Sequence, residues 1–273
     1  MSNGNPVSRA RFPDTAPDKQ PAEKLTAGVP LTKLIQRELS DRAEIVMISR
    51  TRSLAAEKFR RLKTMLVNEK GGGPQVIVIT SSSPAEGKSL ISMNLALAFA
   101  ADRDDKVLLL DADLRRPTVE TFVSPPPKLG LTEVLEGRTE LEHALLQLKN
   151  SSLKILPAGT PPRDPVVLLA SEAAKTLLAS LRRNFDRIII DTPPVSPFAD
   201  ADAIGALADG LLMVARAGKT RRGLLEQSLQ SVTSTRILGT VLNDATFSFA
   251  DRENYAAYDK TYYDYYNKDR EKS

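Results

Sequence analysis

Residues 76–89, Val-Ile-Val-Ile-Thr-Ser-Ser-Ser-Pro-Ala-Glu-Gly-Lys-Ser, constrain this chain more than any other stretch. The β-branched run Val76 to Ile79 predicts a strand, and the small turn-forming residues after it predict a loop. An apolar-periodic segment then opens at Gly87-Lys88-Ser89 and predicts a helix. That order gathers backbone N–H groups of a tight loop and a helix start around an anion. Gly87 lets the backbone come close to a phosphate, Lys88 places a charge on the outer phosphates, and the Ser89 hydroxyl can ligate Mg²⁺. On this reading Ser83, Pro84, Ala85, Glu86, Gly87, Lys88, Ser89 and Leu90 form a nucleotide-phosphate loop. The pattern G-x-x-x-x-G-K-[ST] begins with a glycine where this chain has Ser82, so Gly-Lys-Ser alone is a weak signal. The strand before it and the helix after it supply the specificity.

A length of 273 residues suits one large domain or two small ones. No apolar run of about eighteen residues and no signal-like start are present, so the reading is of a chain that neither spans a membrane nor is secreted. Zero cysteines exclude disulfides, thiolate catalysis and cysteine metal sites, and fit a reducing, cytoplasmic compartment. The 38 Lys and Arg exceed the 34 Asp and Glu by little and are scattered, which gives no reason to invoke nucleic acid.

Residues 1–45 are rich in Pro, Ser, Asp and Lys and read as a disordered extension, with a short amphipathic piece at Leu31–Leu39. Ile45–Ile48 reads as a short strand. Ser53 caps an expected helix over 53–66, with Phe59, Leu62 and Leu66 on one face. Its Glu57, Arg60 and Lys63 sit at helical spacing, as a solvated face and a subunit contact both would. Further strands are expected at 106–111, 153–156, 185–191, 211–215 and 237–242. Helices are expected at 131–148, 165–183 and 224–232. His143, the only histidine, falls on the first of these and receives no role.

Strands alternating with helices at these lengths predict an α/β fold: a doubly wound, mostly parallel sheet with helices on both faces. Its ligand site lies at the carboxyl ends of the strands. Lys88, Asp111, Asp113 and Asp191 all fall there, and Asn243 ends the last strand as a purine contact or a turn residue. Phosphoryl transfer needs Mg²⁺ and a group that meets the nucleophile, and carboxylates do both. Ser89, Asp111, Asp113 and Asp191 are therefore the expected metal-side residues, with the division of labour between Asp111 and Asp113 left open. The tail, 248–273, holds all six tyrosines: Tyr255, Tyr258, Tyr262, Tyr263, Tyr265 and Tyr266. Flexible hydroxyls beside a nucleotide site read as phosphoacceptors.

Taken together, these residues resemble the bacterial tyrosine kinases, cytoplasmic autokinases of capsule and exopolysaccharide synthesis. The resemblance runs from about Ile48 to Asn243. It rests on Ser-Pro-Ala-Glu-Gly-Lys-Ser (83–89), Leu-Leu-Leu-Asp-Ala-Asp-Leu-Arg-Arg-Pro (108–117) and Phe-Asp-Arg-Ile-Ile-Ile-Asp-Thr-Pro-Pro-Val (185–195), supported by Ala-Asp-Gly (208–210) and the tyrosine cluster. It implies a P-loop fold related to the Min/Par ATPases, a domain over 46–247, and ATP with Mg²⁺ for γ-phosphoryl transfer to tyrosine. It also implies a ring-like homo-oligomer made through Glu57, Arg60 and Lys63, a membrane activator of the polysaccharide-copolymerase type, and a cognate tyrosine phosphatase. The chain departs from the family pattern at Ala85, usually glycine, and at Lys63, usually arginine. A Min/Par-like positioning switch is the alternative, but 82–86 lack the early loop lysine of those proteins.

Overall fold

The computed structural model describes residues 35–40, 42–67, 72–102, 105–196 and 198–245. Residues 1–34 and the tyrosine tail lie outside the described residues.

Strands β1 (Ile35–Leu39), β2 (Val76–Ser81), β3 (Val107–Asp111), β4 (Val123–Ser124), β5 (Leu146–Leu148), β6 (Lys154–Leu156), β7 (Arg187–Asp191), β8 (Gly210–Arg216) and β9 (Ile237–Asn243) form one sheet in the order 4-1-5-6-3-7-2-8-9. The central pairs β6–β3, β3–β7, β7–β2, β2–β8 and β8–β9 are all parallel. The helices are α1 (Val46–Ser49), α2 (Leu54–Leu66), α3 (Lys88–Ala100), α4 (Leu131–Leu135), α5 (Leu141–Ala144), α6 (Pro165–Leu169), α7 (Glu172–Asn184), α8 (Asp200–Gly205) and α9 (Arg222–Ser231), with a 3₁₀ turn at Val119–Phe122.

The unbroken apolar runs have the expected cause: both faces of the central strands are covered. Alternate residues divide between the faces. Val76, Val78, Leu108, Leu110, Ile188 and Ile190 pack with Leu177, Leu178 and Leu181 of α7. Ile77, Ile79, Leu109 and Ile189 pack on the opposite side with Met93, Leu97 and Phe99 of α3. Helix α3 is apolar all round because α2 covers its outer side with Phe59, Leu62 and Leu66. This layering holds the carboxyl ends of β2, β3 and β7 level: Asp191 pairs in register with Ile79 on one side and Asp111 on the other.

Four expectations are corrected. Residues 35–39, read as part of a disordered extension, form β1, whose partners β5 and β4 lie far along the chain. Ile45–Ile48 is not a strand: Val46–Ser49 is a helical turn, fixed by Met47 N–H donating to Asn94 Oδ1 at 3.1 Å. A short apolar run carries no period that separates a strand from a buried helical turn. The helix expected over 131–148 is α4, α5 and β5, interrupted at Gly137, whose φ of +70° ends α4. The helix expected over 165–183 is two helices, since Ser171 accepts from Ala174 N–H at 3.2 Å and starts α7 afresh.

Candidate active site

The β2–α3 loop wraps an anion-sized turn with little freedom. Gly87 caps α3 at φ +89°, and Ala85 also takes a positive φ, +62°. The loop is braced from beneath. Glu86 is buried, accepts from Ser83 N–H at 3.0 Å and is bonded by the Thr220 hydroxyl. Arg216 donates to the Ala85 carbonyl at 3.2 Å while its Nη2 holds Asp244 at 2.7 Å. Asn243 donates its amide to the Glu86 carbonyl at 2.9 Å and crosses directly over Gly87. A Cβ at Gly87 would stand 2.1 Å from Asn243 Nδ2. Gly87→Ala is therefore expected to cost about 2 kcal/mol, from left-handed strain and the displaced amide bond, read as a lower urea midpoint at unchanged m. Adding Asn243→Ala should return part of that loss.

Lys88 lies at the floor. Its Nζ donates to Asp113 Oδ2 at 2.6 Å, reaches the Ser89 hydroxyl at 3.4 Å and stands 3.7 Å from Asp191 Oδ2. Asp191 accepts through Oδ1 from the Ser92 hydroxyl at 3.0 Å, whereas its buried Oδ2 has no hydrogen-bond partner among the described residues. Asp111 points away from the ammonium into backbone, accepting from Asp113, Thr118 and Val119 N–H at 3.0, 3.3 and 3.1 Å. These bonds shape the β3 loop that presents Asp113.

Two buried carboxylates thus share one ammonium with a third close behind, and the charges behave accordingly. Burial pulls Lys88 down, but the charges of Asp191 and Asp113 lift it above its ordinary value. Burial, then the charge of Asp191, pushes Asp111 well up; burial also raises Asp191, against the pull of Lys88. Surplus negative charge, an orphan Asp191 Oδ2 and the adjacent Ser89 hydroxyl are the features a hard divalent cation satisfies. Among the described residues no three His, Cys, Asp or Glu side chains cage a metal by themselves. That agrees with Mg²⁺, which keeps waters and shares its shell with phosphate. Mg²⁺ therefore fits Ser89, Asp113 and Asp191.

Above this floor opens a cleft of 710 Å³. Pro84, Ala85, Gly87, Lys88, Ser89, Leu90 and Asp113 form one side, and Pro193, Pro194, Phe122 and Phe198 form apolar walls.

The chain is similar to known proteins. Residues 74–227 match the family described as AAA domain. Tyrosine-protein kinase YwqD of Bacillus subtilis (strain 168) is 33% identical over 207 residues, covering 75% of this chain and 87% of the relative. The chain belongs to the bacterial tyrosine-protein kinases. The succinoglycan biosynthesis transport protein ExoP of Rhizobium meliloti (strain 1021) is also 33% identical, over 81% of this chain but only 29% of its own length. Among solved structures, the chimerical protein CapA2B2 superposes with a TM-score of 0.70 at 28% identity, covering 78% of this chain and 95% of that one.

Within this family frame, the structure brings Lys88, Ser89, Asp113 and Asp191 together. Asp111 sits behind them, and Asn243 braces the loop from outside the cleft. Glu57, Arg60 and Lys63 lie apart on α2: Arg60 pairs with Glu57 and donates to the Thr51 carbonyl at 2.6 Å, and Lys63 pairs with Asp102. The tyrosines expected as phosphoacceptors, Tyr255, Tyr258, Tyr262, Tyr263, Tyr265 and Tyr266, lie outside the described residues. Sequence reading missed Ser92, which stands one turn beyond Ser89 on a buried helix, and the loop braces Arg216 and Thr220. It also missed Asp200, buried and bonded to Arg115, whose only sequence signal is an aspartate at the N-terminus of α8.

Proposed function

We propose that this chain is an ATP-dependent protein-tyrosine kinase that phosphorylates its own C-terminal tyrosines, Tyr255, Tyr258, Tyr262, Tyr263, Tyr265 and Tyr266. The observation that carries the reading is Lys88, held between Asp113 and Asp191 at the floor of an open cleft beside a loop shaped for phosphates. Loop amides and Lys88 hold the β- and γ-phosphates, and for Lys88 this means leaving Asp113. Ser89, Asp113 and Asp191 would hold Mg²⁺, which when bound neutralises charge on the phosphate oxygens. The phenol oxygen forms the new bond to the γ-phosphorus as the bond to the β–γ bridging oxygen breaks. ADP leaves, and the phenol proton passes to the carboxylate cluster, of which Asp113 lines the cleft. Asp111 sets the position of Asp113 through the backbone bonds of their shared loop.

Membership of this family and the likeness to ExoP support a role in capsule or exopolysaccharide synthesis, exercised at the inner face of the membrane. No helix among the described residues is long and apolar enough to cross a membrane. A polysaccharide-copolymerase type of activator supplies the membrane part, on a separate chain or on a segment beyond this sequence, with ring-like self-association through α2 and reversal by a tyrosine phosphatase. The test is intact-mass spectrometry after incubation with Mg²⁺-ATP. The full chain should gain several phosphates, and a chain ending before Tyr255 should gain none. Turnover of ATP with no added mass would overturn the kinase reading in favour of a nucleotide switch.

A further inference from the structure

Three arginines, Arg42, Arg115 and Arg116, line the cleft beyond the phosphate loop. Arg115 is built in: its Nε donates to both oxygens of the fully buried Asp200 at 3.1 Å, and its guanidinium lies 4.3 Å from the centre of the Phe198 ring. Its terminal nitrogens have no hydrogen-bond partner among the described residues. On the facing wall Arg42 lies 5.3 Å over Phe122. Arg116 is exposed, and its N–H donates to Asp113 Oδ1 at 3.0 Å, which puts it immediately beside the cluster. Arg115 is offset by Asp200, and against Arg42 and Arg116 the lining offers Glu44, and Asp113, which is already paired with Lys88. Apolar walls with arginines laid on their rings suit an aromatic ring with an anionic group close by, and beside the nucleotide a tyrosine next to an aspartate is such a guest.

We propose that this mouth selects tyrosines bonded directly to an aspartate, so that the tail is phosphorylated in a fixed order. Asp259 adjoins Tyr258, and Asp264 lies between Tyr263 and Tyr265. Tyr255, Tyr262 and Tyr266 have no acidic neighbour. The occupant is this tail segment, from a second copy in the ring, and the described chain ends beside the loop, where Asn243 bonds the Glu86 carbonyl. Asp244 is held by Arg216, which also bonds the Ala85 carbonyl on the cleft wall, and Ala245 is the last described residue. Arg115, Arg116 and Arg42 are then specificity residues, which touch the aspartate of the acceptor. The inference rests on the kinase reading and adds the acceptor rule to it.

The experiment is a time course of the full chain with Mg²⁺-ATP, with phosphate quantified at each tyrosine by peptide mass spectrometry. Tyr258, Tyr263 and Tyr265 should lead the other three by about fivefold in early rate, the ratio a partly exposed ion pair supports. Asp259→Asn should slow Tyr258 alone, and Asp264→Asn should slow Tyr263 and Tyr265 alone, each leaving the remaining sites as internal controls. Arg116→Glu should level all six. Equal early rates in the unaltered chain, or asparagine variants that leave the order unchanged, would overturn the acceptor rule while leaving the kinase standing. Absence of phosphate at every tail tyrosine would overturn both.

Discussion

Replacing Lys88 by methionine should cut tyrosine phosphorylation by about 10²- to 10³-fold, the loss expected when one preorganised positive group is removed from a phosphoryl-transfer site. The same substitution should also change the stability of the nucleotide-free chain, which separates it from a simple catalytic knockout. Among the described residues Lys88 is the one cation paired with Asp113 and Asp191, and both carboxylates are buried. Removing it leaves buried negative charge uncompensated, a change that costs about 3–5 kcal/mol when the remaining group stays ionised. Proton uptake by the cluster lowers that cost, so the destabilisation should be smaller at mildly acidic than at alkaline pH. The native ammonium works the other way. Its folded pKa lies above the ordinary 10.5, so its contribution is fully present below that value and is lost as pH rises through the folded pKa. Thermal unfolding of both proteins across neutral pH, with and without Mg²⁺, is the check. A methionine variant as stable as the parent at every pH would mean that the Lys88–Asp113 contact carries no net stability.

Sequence sufficed wherever the cause of structure was local or periodic. The runs 76–79, 107–110 and 188–190 announce strands buried on both faces, and the last two lead straight into Asp111 and Asp191. Small residues between Thr80 and Ser89 announce a loop, and the structure adds what no sequence pattern carries: Ala85 in a left-handed conformation and Asn243 lying against Gly87. What stayed hidden depends on partners distant in the chain. Strand β1 has little apolar character of its own and forms because residues 123–124 and 146–148 receive it. Asp111 and Asp113 look equivalent at the end of one apolar run. They separate only because the loop to Val119 folds back to give Asp111 three N–H donors, which turns Asp113 toward Lys88. Arg115 belongs to a visible motif, yet its task is set by Asp200, eighty-five positions on. Broken helices were misjudged for the opposite reason: Ser171 and Gly137 are strong local signals that apolar periodicity on either side outweighed.

Asp191→Asn is expected to move activity and stability in opposite directions. Phosphorylation should fall by about 10²- to 10³-fold, because the amide withdraws a charge from the metal side of the site. Stability of the nucleotide-free chain should rise by about 1–2 kcal/mol. Asp191 is fully buried and its Oδ2 has no hydrogen-bond partner among the described residues, so the native carboxylate bears an ionic desolvation cost the neutral amide avoids. The bond from Ser92 to the retained Oδ1 survives the change, and Lys88 keeps Asp113. The pH dependence follows from the direction of the shifts. Asp191 and Asp111 both titrate above the ordinary 3.8 in the folded chain, so the native state holds more protons than the unfolded state over that interval. Stability of the parent therefore declines as pH rises from 3.8 through the raised values, and the asparagine variant should lose part of that decline. Mg²⁺ should stabilise the parent more as pH rises, since protons then no longer compete for the cluster, and should do little for the variant. Urea unfolding of parent and variant over a pH series, each with and without Mg²⁺, reads all of these terms. A variant less stable than the parent near neutral pH would show that Asp191 is held by the fold for packing, and that the site's surplus charge is no reservoir for metal binding.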